Sequence, residues 1–204
     1  MQYGNDENQV IEFFGEGPLV ALIHGGYWRP HINREHLYEL ANALTGYRVA
    51  LIEYRRIPGD PYKTIDDINL AFSKLSEVSV IVGHSVGGYL ALLAESDAKR
   101  NVLLAPVTDL MRTQHEDLGE SAVTAFLNGK AEEFSEIDPF RIQLKRESVI
   151  IHGDADVRVP IQHSRDFAKK FDCKLLEVSG GNHFAVIKPE GLAFELLQKS
   201  LHVH

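Results

Sequence analysis

The chain has 204 residues, 44% hydrophobic and 25% charged, which suits one domain with a sizeable core and leaves little room for two. A single cysteine excludes an internal disulfide scaffold, and a formal net charge of −8 argues against general affinity for nucleic acid or anionic membrane. No basic leader with an apolar stretch opens the chain, and no apolar run approaches the ~20 residues of a membrane span. The expectation is a soluble, cytoplasmic, single-domain protein over residues 1–204, with neither membrane nor nucleic-acid partners.

In chain order, Met1–Asn8 is polar and expected to be loose, and Val10–Phe14 forms a short strand before a Gly15–Pro18 turn. Six apolar runs follow: Leu19–His24, Val49–Glu53, Val78–Val82, Val102–Leu104, Val149–Ile151 and Lys174–Val178. Several lack apolar/polar alternation, the pattern of strands covered by helices on both faces. Helical periodicity falls between them, over Arg34–Leu44, Ile65–Leu75, Val86–Glu95, Ile161–Phe171 and Leu192–Leu201. Thr64 and Asp66 offer helix starts for the second of these. Strand and helix alternating at this spacing predict an open, mostly parallel sheet with right-handed crossovers. Residues 106–142 break the rhythm. They mix acidic residues with Leu118, Val123, Phe126 and Leu127, and predict a short helical lid.

The sharpest motif is Gly83-His84-Ser85-Val86-Gly87-Gly88, between a strand and a helix. A serine there occupies a tight turn that exposes its hydroxyl, and the following helix aims its first amides at charge developing nearby. A serine is a weak nucleophile without a base, and the base needs an orienting acid. Downstream, His152-Gly153-Asp154-Ala155-Asp156 and Gly180-Gly181-Asn182-His183-Phe184 each follow a strand. His183 is the candidate base. Asp156 is the favoured acid and Asp154 the alternative, expected rather to organise its loop. The oxyanion needs aimed donors, for which the Val86 amide and the His24-Gly25-Gly26-Tyr27-Trp28 loop qualify, the latter through Gly26 and Tyr27. His24 is expected to fix that loop.

The Ser, Asp, His order resembles the α/β-hydrolase superfamily, and the HGGYW loop is similar to the H-G-G-x-W signature of the kynurenine formamidases (arylformamidases) and their carboxylesterase-like relatives. The resemblance runs through the HGGYW loop, GHSVGG, HGDADVRVP and GGNHF, and so covers nearly the whole chain. It implies a compact three-layer α/β sandwich, a triad at Ser85, Asp156 and His183, and an oxyanion loop at Gly25, Gly26 and Tyr27. It also implies hydrolysis of N-formyl-kynurenine without a cofactor.

Tyr27, Trp28 and Phe184 are candidates to pack on a substrate ring, with Arg29, Arg34 and Arg158 as partners for its carboxylate. The two enzymatic readings are a serine carboxylesterase acting on a small acyl ester and an arylformamidase acting on an N-formyl aromatic amine. A non-catalytic binding protein on the same fold is the third. No metal-binding spacing appears; His115, His163, His202 and His204 are expected at the surface, and Cys173 as a packed small residue.

Overall fold

The computed structural model describes residues 1–202. Seven strands form one sheet, β1 (Ile11–Phe14), β2 (Leu19–Ile23), β3 (Arg48–Ile52), β4 (Val78–His84), β5 (Arg100–Leu104), β6 (Glu147–Gly153) and β7 (Lys174–Val178), in the order β1-β3-β2-β4-β5-β6-β7. Among the described residues, only β1 of these strands runs antiparallel to its neighbour. The reason for the continuous apolar runs is visible residue by residue. Ala21, Ile23, Ala50, Ile52, Ile81, Leu103 and Ile150 enter one core, while Val20, Leu22, Val49, Leu51, Val80, Val82, Val102, Leu104 and Ile151 enter the other. Successive side chains point to opposite faces, so a strand buried on both sides has no polar position to spare.

Helices α2 (Pro61–Phe72), α3 (Val86–Leu93) and α6 (Ile161–Phe171) cover the first face through Ile68, Phe72, Leu90 and Phe167. Helices α1 (Tyr38–Ala43) and α7 (Gly191–Leu201) cover the second through Leu40, Ala41, Leu197 and Leu201. The result is a three-layer α/β sandwich with the α/β-hydrolase fold. No helix among the described residues is long and apolar enough to cross a membrane.

Three local expectations are corrected. Helix α2 starts at Pro61 rather than near Ile65, because the Asp60 side chain caps the Lys63 amide and proline suits a first turn. The N-terminal stretch is pinned, with Tyr3 buried and its hydroxyl donating to the Glu53 carbonyl at 2.7 Å. His163 is buried on the inner face of α6, where Nε2 meets the Glu116 carboxylate at 2.7 Å. His115 and His202 are exposed, and His204 lies outside the described residues.

Between β5 and β6 the chain forms α4 (Leu110–His115), α5 (Ala122–Leu127) and a 3-10 stretch, Ala131–Ile137. Val123, Phe126 and Leu127 of this excursion join the first core. Cys173 packs half-buried against the same core, and burial pushes its thiol up to about 11.

Candidate active site

The site lies at the carboxyl ends of the parallel strands, where open α/β sheets bind ligands. Strand register assembles it. Ile23 of β2 pairs with Gly83 of β4, so the His24–Trp28 loop leaves the sheet beside the Ser85 turn. Gly153 of β6 pairs with Val178 of β7, which brings the Asp156 and His183 loops together.

Ser85 takes φ 56° and ψ −119°, a combination that costs a non-glycine residue free energy and is held by its surroundings. Its amide donates to the Leu104 carbonyl at 2.8 Å, and its own carbonyl accepts from Gly88 and Val107. The turn closes so tightly that a Cβ on Gly83 would sit 2.3 Å from the Gly87 carbonyl oxygen. Gly25 packs directly on the serine: a Cβ there would fall 2.7 Å from Ser85 Cβ. These two glycines answer to close backbone approach.

Asp156 and His183 are both buried, and the His183 Nδ1–H donates to Asp156 Oδ2 at 2.7 Å. The other carboxylate oxygen, Oδ1, accepts from the amides of Arg158 and Val159 at 2.8 and 3.0 Å. Burial opposes the charge on Asp156, but hydrogen bonds from His152 and His183 overcome it and hold the carboxyl well below the usual range. Asp154 instead accepts the Gly180 amide at 2.6 Å and stands exposed, so it ties the two loops together. The Ser85 hydroxyl is unpartnered among the described residues and is not hydrogen-bonded to His183 in this resting geometry. Such bonds tighten when substrate fills a site.

Ser85 and His183 line one cavity of about 640 Å³, together with Gly26, Tyr27, Arg29, His36, Leu118, Val157, Arg158 and Phe184. Among the described residues, no acceptor takes the amides of Gly26, Tyr27 or Val86. Tyr27 itself has φ 50°, and its hydroxyl donates to the Arg158 carbonyl at 2.6 Å, bridging the His24–Trp28 loop to the Asp156 loop. Burial, helped by the Asp156 charge, pushes that phenol up to about 12.

Trp28 does not reach the cavity. It stacks on Phe126 at 4.3 Å and meets Tyr89 edge-on, so its indole fixes the loop against the core and not against a ligand. Of the three arginines, Arg34 is engaged by Glu12 and Glu53. Arg29 lines the cavity but holds the Gly119 carbonyl and Glu120. Arg158 keeps its guanidinium over the Phe184 ring, 5.1 Å from the centroid, with no carboxylate partner among the described residues.

Two groups escaped the sequence reading. Glu53, at the end of β3, accepts from His24 Nε2 at 3.0 Å, from Arg56 and from the Arg34 amide. Burial pushes its carboxyl up, but His24 and Arg56 more than offset this and bring it to about 2. His84 donates Nε2–H to the His183 carbonyl at 3.2 Å, and burial with the adjacent His183 holds it neutral. Its place before Ser85 was the available signal. Glu53 lies 29 residues from His24, and no local pattern links them.

In chemical terms the site offers a serine hydroxyl in a strained turn on the cavity wall, an imidazole with its other nitrogen on a carboxylate, and, among the described residues, free amides at a helix start and in a loop. The solved structures it resembles share this fold. A Silicibacter sp. tm1040 protein assigned to the thioesterases superposes with a TM-score of 0.76 at 21% identity, covering 93% of this chain and 79% of that one. Esterase B of Lactobacillus rhamnosis gives 0.74 at 18% identity, covering 98% and 82%. A Thermogutta terrifontis esterase gives 0.68 at 20%, covering 98% and 90%. The part of the sequence that carries the Ser85 turn, the acid loop and His183 falls within residues 74–190, which match the prolyl oligopeptidase family, and the chain belongs to that family.

Proposed function

We propose that the protein is a serine hydrolase that cleaves a small carboxylic ester through an acyl-enzyme. The observation that carries this reading is the His183–Asp156 bond of 2.7 Å on a cavity shared with Ser85 in its strained turn. Ser85 Oγ attacks the carbonyl carbon while His183 Nε2 takes its proton, and Asp156 stabilises the imidazolium. The amides of Val86, Gly26 and Tyr27 receive the oxyanion; one such donor is worth about 3–4 kcal/mol. His183 then protonates the departing alkoxide. A water activated by the same nitrogen attacks the acyl-enzyme, releases the acid and returns the proton to Ser85. The excursion at 106–142 acts as the lid of this single domain, through Asp117, Leu118, Gly119 and Glu120 on the cavity wall.

A second reading, arylformamidase, is favoured by Arg158 over the Phe184 ring at the same cavity. A cation beside an aromatic face suits a ring-bearing amino acid such as N-formyl-kynurenine. The test is a panel of acetyl, butyryl and longer p-nitrophenyl esters, N-formyl-kynurenine and a prolyl anilide, run with wild type and Ser85→Ala. Faster turnover of short esters, abolished in Ser85→Ala, is expected. A folded Ser85→Ala variant with undiminished turnover refutes the mechanism, and a clear preference for N-formyl-kynurenine selects the second reading.

A further inference from the structure

Asp156 Oδ2 carries a second imidazole besides that of His183. His152, in β6, is fully buried, and its Nε2 lies 3.1 Å from Asp156 Oδ2 and 2.9 Å from the Val159 carbonyl oxygen. A carbonyl and an ionised carboxylate only accept, so Nε2 carries the hydrogen. On the other side of the ring, Nδ1 lies 2.7 Å from Ser164 Oγ of α6, and the serine hydroxyl can donate to it. With its hydrogen on Nε2, His152 therefore meets every partner within reach. The carboxylate of Asp156 is then enclosed by two amides on Oδ1 and two imidazoles on Oδ2.

We propose that His152 is a positioning residue for the His183–Asp156 pair. By donating to Oδ2 it fixes the carboxylate plane and draws off part of the negative charge that His183 faces. It thereby sets the basicity of His183. The effect on rate rests on the serine-hydrolase reading; the effect on His183 does not. The other titratable groups around the pair are His84, whose ring is 4.9 Å from that of His183, and His36 across the cavity. Tyr27 and Arg158 flank Asp156, and Glu177 of β7 faces His152.

Two amide substitutions separate positioning from packing. His152→Gln carries its amide near the place of Nε2 and can still donate to Asp156. His152→Asn carries it near the place of Nδ1, reaching Ser164 but not Asp156. Without the donor, charge concentrates on Oδ2 and favours the imidazolium, so the His183 pKa rises. Its neutral, basic form then appears only at higher pH.

The experiment titrates the His183 ring by NMR in wild type and both variants, alongside kcat and KM against pH and urea unfolding. His152→Asn is expected to raise the His183 midpoint and the acidic limb of kcat/KM by about half a pH unit or more. It should lower kcat about tenfold with KM within about twofold, and His152→Gln should restore both. Equal His183 titrations in the two variants, shifted or not, overturn the proposal, because packing alone would then account for His152. The NMR titration is read whether or not any ester is turned over. An inactive wild type therefore removes the hydrolase reading while His152 is still judged by the titration.

Discussion

The pairs His183–Asp156 and His24–Glu53 are both buried near Ser85, and of these two only the first is proposed to move protons. His183 with Asp156 and His24 with Glu53 are similar in length, at 2.7 and 3.0 Å. They differ in what else they touch. His24 spends its second nitrogen on the Gly25 carbonyl at 2.7 Å, stacks its ring on Tyr54 and is fully buried away from the cavity. Its carboxylate is neutralised by Arg56, which is buried with it, and by Arg34. His183 lines the cavity, and its Nε2 has no partner among the described residues. Asp156 is enclosed by amides and imidazole rings, with no arginine paired to it among the described residues. An unspent nitrogen facing a cavity, rather than the pairing itself, separates a candidate general base from a structural brace.

The sharpest way to break this contrast is to neutralise each carboxylate. Asp156→Asn is expected to lower kcat by about 10⁴-fold, since the amide favours the wrong tautomer of His183, and to lower the unfolding midpoint as well, since an amide cannot accept all four hydrogen bonds of the buried carboxylate. Steady-state kinetics on the best ester of the panel, with urea melts, checks it. A second large effect comes from the contact between the two halves. Gly25→Ala places a methyl 2.7 Å from Ser85 Cβ and 2.8 Å from the His84 carbonyl oxygen, so the loop or the serine must shift. A displacement of this order costs about 10² in kcat. Burst kinetics would show a slowed acylation step, and an unchanged burst rate would contradict the geometry.

On the structural side of the contrast, Glu53→Gln leaves Arg56 buried without its carboxylate and should cost about 3–5 kcal/mol of stability. Turnover per folded molecule should stay within a few-fold of wild type. A folded, stable Glu53→Gln enzyme with a collapsed rate would reverse the roles assigned to the two pairs. The smallest effect is on the pH dependence of folding. The Glu53 carboxyl is brought from its ordinary 4.5 to about 2, so the folded state binds fewer protons than the unfolded one between these values. Unfolding there takes up a proton. The stability Glu53 contributes is present above about pH 4.5 and lost as the pH falls toward 2; Asp156, lowered in the same direction, adds to the loss. Urea midpoints measured down this range should fall less steeply in Glu53→Gln.

The strands and most helices were legible because burial on both faces of a parallel sheet writes itself as short continuous apolar runs. Val78–Val82 and Val149–Ile151 needed no partner to be recognised. Ser85 was legible for a similar local reason: Gly83 and Gly87 flank it, and the turn cannot close with larger residues. Trp28 and His163 were misplaced because an aromatic or a histidine beside a motif looks the same whether it faces ligand or core. Phe126 and Glu116, distant in the chain, settle where each one goes.

The layering of the sheet, the tight turn at Ser85 and the separate Asp156 and His183 motifs are legible locally, since each depends on neighbours within a few residues. Only the folded chain pairs His183 with Asp156 and leaves Asp154 to the Gly180 amide, joins Glu53 to His24 and sets two imidazoles on Asp156 Oδ2. Those outcomes follow from which loops the strand register brings within hydrogen-bond distance. Such distances are fixed only when β2 meets β4 and β6 meets β7.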